Sequence, residues 1–173
     1  MSKVKIAAAR LSFPCLFTHS QFNGESTGKY EATFILDKVD HAKQIAEIQN
    51  IIANMMKTDL KTKLGSDKLC LKDGDEQGRP EYEGKMTIKA STKKRPVIIN
   101  RDKSPVTEED GVIYGGCYVN AVMSLWAQSN GYGKRINASL DGVQFVRDGD
   151  AFGEGAIGVS EFDAFDDDDD SDF

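Results

Sequence analysis

CYVNAVMSLWAQ, residues 117–128, alternates without a break. Cys117, Val119, Ala121, Met123, Leu125 and Ala127 fall on one side and are uniformly apolar. Tyr118, Asn120, Val122, Ser124 and Trp126 fall on the other. A period of two is that of a strand with one face in a core. Asn130-Gly131 and Gly133 then turn the chain into a further strand, residues 135–146. Working outward, Lys3 to Leu11 alternates weakly, with Val4, Ile6 and Ala8 on one side. Lys29 to Leu36 alternates cleanly, so Tyr30, Ala32, Phe34 and Leu36 are assigned to the core. Lys85 to Ser91 directs Met86, Ile88 and Ala90 inward and Lys85, Thr87 and Lys89 outward. Residues 96–99 predict a short edge strand, because Pro96 has no ladder donor.

One helix interrupts this pattern. Ile45, Ile48, Ile52 and Met55 recur at helical spacing, with Asp40 as N-cap and Gly65 as stop, which predicts a helix over about residues 40–64. Residues 65–84 read as a long loop, 102–111 as a turn-rich connection, and 148–158 as a glycine-rich exit from the domain. The expected fold is mainly β: an antiparallel barrel or sandwich with one inserted helix, a five-stranded oligonucleotide-binding (OB) barrel being a specific candidate. Residues 1–150 form the domain, and 151–173 a flexible linker and disordered acidic tail.

The charge is unevenly divided. The chain carries 22 basic and 28 acidic residues, a net of −6. Eight of those acids, and no basic residue, lie in EFDAFDDDDDSDF, residues 161–173, so residues 1–160 are slightly basic at 22 against 20. A basic body joined to a polyanionic arm suits a polyanion-binding protein. No apolar run approaches the roughly 20 residues of a membrane span, and MSKVKIAAARLSF reads as a strand rather than a signal peptide. Cys15, Cys70 and Cys117 are scattered, so neither a disulfide framework nor a zinc site is expected and a reducing cytoplasm fits. His19 and His41 lack companions at ligand spacing, and no phosphate-loop, nucleophile-elbow or zincin motif occurs. A non-enzymatic protein without metal or cofactor is expected.

Two features carry binding chemistry. Residues 84–103 are strongly basic: Lys85 and Lys89 share an outward strand face, and Lys93, Lys94, Arg95, Arg101 and Lys103 follow. Such a row can track a phosphate backbone or simply be a solvated strand. Tyr118 and Trp126 lie among small polar groups on a non-core face, as base stacking requires, unless they pack under a loop or the helix. Tyr132, Lys134 and Arg135 extend that groove or decorate the hairpin. In the tail, Phe162, Phe165 and Phe173 sit among carboxylates. A pure solubiliser gains nothing from them, whereas an acidic segment with aromatic anchors can dock in a basic-rimmed pocket or fold back on its own basic groove.

The pieces KRPVIINRDKSP, EEDGVIYGGCYVNAVMSLWA and NASLDGVQFVRDGDAFG, with RLSFPCLF and KYEATFIL, resemble a family of bacteriophage single-stranded-DNA-binding proteins. The resemblance covers most of the chain. It implies an OB-fold and sequence-tolerant binding of single-stranded DNA in phage replication or recombination, in the host cytoplasm if the chain is phage-encoded. Lys85, Lys89, Lys93, Lys94, Arg95, Arg101, Lys134 and Arg135 are then the expected phosphate contacts, with Tyr118, Trp126 and Tyr132 for stacking. The acidic end is similar to tails that recruit replication partners and compete with DNA. This assigns Phe165, Asp166, Asp167, Asp168, Asp169, Asp170, Asp172 and Phe173 to docking polymerase, helicase-primase or recombination proteins. A homodimer is one assembly the sequence admits. The rival readings are an acidic DNA mimic that inhibits a host nuclease or repair factor, and an enzyme of nucleic-acid metabolism.

Overall fold

The structure, a computed structural model, describes residues 2–152. In chain order it contains β1 (Ser2–Cys15), a small hairpin of β2 (Gln21–Phe22) and β3 (Glu25–Ser26), then β4 (Tyr30–Asp37) and α1 (Ala42–Thr58). There follow β5 (Leu71–Asp73), β6 (Lys85–Thr92), β7 (Val97–Ile99), β8 (Tyr118–Asn130) and β9 (Gly133–Arg147). Strands β6, β4, β1, β8 and β9 neighbour one another in that order, and β9 returns to β6, which closes a five-stranded barrel. Four of these ladders are antiparallel, as expected. The closing one is parallel and narrow, with Ser91 opposite Ser139. Strand β7 pairs with β9 at the sheet edge, also in parallel.

Alternation builds the interior. Cys117, Val119, Ala121, Met123 and Leu125 are all buried, and they meet Val4, Ile6, Leu11, Phe34, Leu36 and Ile88 in one core. Helix α1 packs beside β1 and β8, with Ile45, Ile48, Ile52 and Met55 buried. Each such side chain stabilises the fold by about 1.5–3 kcal/mol.

Several expectations need correction. Helix α1 is shorter than residues 40–64. Asp40 does not cap it; the Asp37 carboxylate instead accepts the Val39 and Asp40 amides and holds that turn. The helix stops early because Leu60, buried, donates back to the Met55 carbonyl and Lys61 takes a left-handed φ of 52°. Residues 65–84 are no open loop, since they contain β5 and three 3-10 turns, with Leu71 and Tyr82 buried. Their packing also buries Thr87, expected outside, whose hydroxyl accepts from Gln77 Nε2 at 2.8 Å. In β1 a bulge at Ala8 (φ 53°) gives the inward site to Ala9. Finally, residues 148–152 stay against the body. Tyr114 Oη donates to Asp148 Oδ1 at 2.9 Å, Arg10 Nη2 to the Asp150 carbonyl at 2.7 Å, and the Phe152 amide to the Gly115 carbonyl at 3.0 Å. No helix among the described residues is long and apolar enough to cross a membrane.

Candidate nucleic-acid interface

The outer faces of β4 and β6 form the floor of a groove of about 720 Å³. Glu31 and Thr33 come from β4; Thr87, Lys89 and Ser91 come from β6. The β2–β3 hairpin supplies one wall through Gln21, Phe22 and Lys29 at its base. Lys72 on β5, with Arg79 and Tyr82 beyond it, supplies the other, and Arg135 and Asn137 on β9 line it further.

Local backbone places the aromatics. Phe13 has a left-handed φ of 48° within a register shift between Ser12 and Cys15, so it leaves the strand's alternation and lines the groove. Its ring centre lies 4.5 Å from the Arg79 guanidinium carbon, a cation–π distance. Tyr82 is anchored from below, its hydroxyl 2.9 Å from Ser12 Oγ. Phe22 stands at the hairpin turn before Asn23 and Gly24, both at positive φ, and is 73% exposed. A ring exposed on a groove wall is available to stack on a flat ligand.

Electrostatically, Lys29, Lys72, Arg79, Lys89 and Arg135 line the groove with one carboxylate, Glu31, and Arg79 also approaches Glu81 beside it at 3.8 Å. Glu31 pairs with Lys89 at 3.2 Å, yet the lysine side chain stays 63% exposed. Cations flanking exposed rings suit a polyanion that carries flat apolar groups. Among the described residues no cluster of His, Cys, Asp and Glu could hold a metal ion.

The residues singled out from sequence divide. Lys89 and Arg135 meet in the groove. Lys93 and Lys94 are exposed just past the end of floor strand β6. Tyr132 and Lys134 stand beside Arg135 at the β8–β9 turn, Tyr132 being 93% exposed. Others lie elsewhere. Lys85 faces a second cleft and is held by Asp37 at 2.6 Å. Arg95 donates to the Phe17 carbonyl at 3.1 Å and lies 5.9 Å from the Tyr30 ring. Arg101 sits in the turn after β7, where its carbonyl accepts from Gln144. Tyr118 has the guanidinium carbons of Arg147 and Arg10 at 4.2 and 6.0 Å from its ring centre. Trp126 is half-buried on β8, opposite Asn137 and one strand outside the groove. The tail positions Phe165, Asp166 to Asp170, Asp172 and Phe173 lie outside the described residues. Phe13, Phe22, Lys72 and Arg79 were not singled out because they fall at a bulge or in stretches read as turns and loops, where alternation gives no face; Lys29 had an outward face, but no second cation shared it. The available signal was Phe22 abutting Asn23-Gly24, an aromatic at a turn.

Comparison with known proteins places the chain among bacteriophage proteins. The family described as "Enterobacter phage Enc34, ssDNA-binding protein" matches residues 2–173. "Putative protein p50" of Acyrthosiphon pisum secondary endosymbiont phage 1 is 41% identical, over 93% of this chain and 92% of its own. The structure described as the single-stranded DNA-binding protein from bacteriophage Enc34 in complex with ssDNA superimposes with a TM-score of 0.80 at 32% identity, over 88% of this chain and 90% of that one. Gp2.5 of bacteriophage T7 shares the fold, with a TM-score of 0.55 at 13% identity over 91% of this chain and 98% of its own. The chain belongs to the Enc34 single-stranded-DNA-binding family of bacteriophage proteins.

Proposed function

We propose that this family member binds single-stranded DNA, without reading its sequence and without chemistry, in the groove over β4 and β6. The observation that carries the reading is the pairing of five cations with the exposed rings of Phe13 and Phe22 around one carboxylate. Lys29, Lys72, Arg79, Lys89 and Arg135 neutralise phosphates, and Lys93 and Lys94 continue the row. Phe22 and Phe13 stack bases, and Tyr132 serves the rim. Stacking accepts any base because every base has a π-face, at about 1–3 kcal/mol each. The relative described in complex with ssDNA supports single-stranded DNA as the ligand.

The chain would act in phage replication or recombination in the host cytoplasm. Residues through Phe152 form the binding domain. The acidic segment beyond it, with Phe165 and Phe173 as anchors, recruits polymerase, helicase-primase or recombination proteins and competes with DNA for the cations.

Titrating labelled oligothymidylate, monitored by anisotropy, tests both parts. Affinity should fall with salt at about 0.7 in log–log slope per phosphate contact. Duplex should bind less tightly, and no strand should be cut. Deleting residues 161–173 should tighten binding at low salt, with the gap closing as salt rises. If neither the full chain nor the shortened one binds single strands at low salt, the reading fails.

A further inference from the structure

Arg135 joins the groove to a second basic surface. Its side chain lines the groove, yet its guanidinium donates to the Asp67 carbonyl at 3.1 Å, in the linker between α1 and β5. One residue earlier on β9, Lys134 Nζ donates to the Leu60 carbonyl at 3.1 Å, at the other end of the same linker. The β8–β9 hairpin is thus pinned along residues 60–67. The linker then runs straight into the groove wall: the Cys70 amide donates to the Ile136 carbonyl at 3.0 Å, and Leu69 and Cys70 line the groove.

This surface is strongly cationic. Lys57 in the last turn of α1, with Lys61, Lys63 and Lys68 in the linker, is exposed, and so is Lys134 beside them. Opposed to these stand Asp59 and Asp67, and Asp67 approaches Lys68 only at 4.0 Å. Tyr132, 93% exposed at the hairpin turn, adds a ring to the same end of the barrel. Neither helix packing nor ion pairing explains this run of lysines.

We propose that the α1–β5 linker is a second contact surface for the same DNA strand, carrying its phosphodiester backbone out of the groove past Arg135 and Tyr132. The inference rests on the groove reading. Lys61, Lys63 and Lys68 contact phosphates there without base contacts, so the surface adds affinity only for strands long enough to reach it.

The test uses the full chain with Lys61→Asn, Lys63→Gln and Lys68→Gln combined, asparagine being chosen because it tolerates the left-handed backbone at that position. Oligothymidylates of about 5 and about 15 nucleotides bracket a groove-sized and a longer site. The variant should bind the longer strand roughly tenfold or more weakly at low salt, with the salt slope reduced by about 2. Binding of the short strand should stay within about twofold of wild type, below the stacking and phosphate effects above. Unchanged binding of the longer strand, while Arg79→Gln weakens both lengths, would overturn this inference and leave the groove intact. An equal change for both lengths would assign the lysines to the acidic segment instead and also overturn it. If Arg79→Gln weakens neither length, the groove reading itself has failed.

Discussion

The Arg10 guanidinium carbon lies 4.1 Å from the centre of the Phe152 ring, at the point where the described chain ends. The same group donates through Nη2 to the Asp150 carbonyl at 2.7 Å and through Nε to the Gly116 carbonyl at 3.2 Å. Gly116, at φ 116°, and Gly149 lie so close together that a Cβ on either would strike the other segment's backbone. One arginine on β1 therefore holds residues 150–152 against the barrel.

Arg10→Ala should destabilise the protein by about 0.5–1.5 kcal/mol, the net worth of a hydrogen bond whose carbonyl can turn to water. Arg10→Lys should recover only part of this, because an ammonium cannot reproduce the guanidinium fork. Urea unfolding reads both. A wild-type midpoint for Arg10→Ala would show that the clamp contributes nothing.

Phe22→Ala should weaken binding of single strands by about 1–3 kcal/mol while leaving the unfolding midpoint unchanged, since the ring is 73% exposed. Trp126→Ala should change affinity less than about threefold, a small fraction of a stacking contact, because the residue lies one strand outside the groove. Anisotropy titrations of the two variants side by side decide the matter. The reverse ranking would move the stacking site to β8.

The thiols should be inert in the native protein. Burial raises all three above the ordinary value, and Cys70 is pushed up to about 11. At pH 8 only about one Cys70 in a thousand is then thiolate, and thiolate is the reactive form. Reaction with an aromatic disulfide reagent should be slow for the folded chain and fast in denaturant. Rapid native labelling of Cys70 would contradict its placement beside β9.

Acid should weaken the fold through one charged cluster. The Lys85 ammonium holds the Asp37 carboxyl well below the usual carboxylate range, and Lys38 does the same to Asp73 and Asp75. A carboxylate with a lowered folded value stabilises the fold above its unfolded value of about 3.9, and that stabilisation fades as pH falls further. Lys38, raised by the same partners, acts oppositely: its share is present below about 10.4 and is lost as pH climbs through the folded value. Melting temperatures measured from pH 6 to pH 2.5 should therefore begin to fall below about pH 4. The double variant Lys38→Met, Lys85→Met should flatten that fall. Parallel curves for variant and wild type would remove the cluster from the explanation.

Read alone, the sequence marks most of the core, though not Thr87 or Ala9, and it assigns Tyr30 there although Tyr30 is only half-buried. Cys117, Val119, Ala121, Met123 and Leu125 were legible because strand alternation is local, and so was the stripe from Ile45 to Met55 on α1. It also showed a slightly basic body with an acidic end, since charge is additive and needs no fold. It could not show what covers an outward face. Lys85 and Lys89 alternate identically along β6, yet Asp37 holds one beside a second cleft and the groove leaves the other 63% exposed. Tyr118 points outward as read, but Arg147 and Arg10 flank its ring. Thr87 points outward and is buried by the segment that follows β5. Groove residues such as Phe13, Phe22, Arg79 and Arg135 come from separate segments, brought together only by barrel closure and a left-handed bulge at Phe13. Alternation reports the side of a strand; long-range packing decides what that side meets.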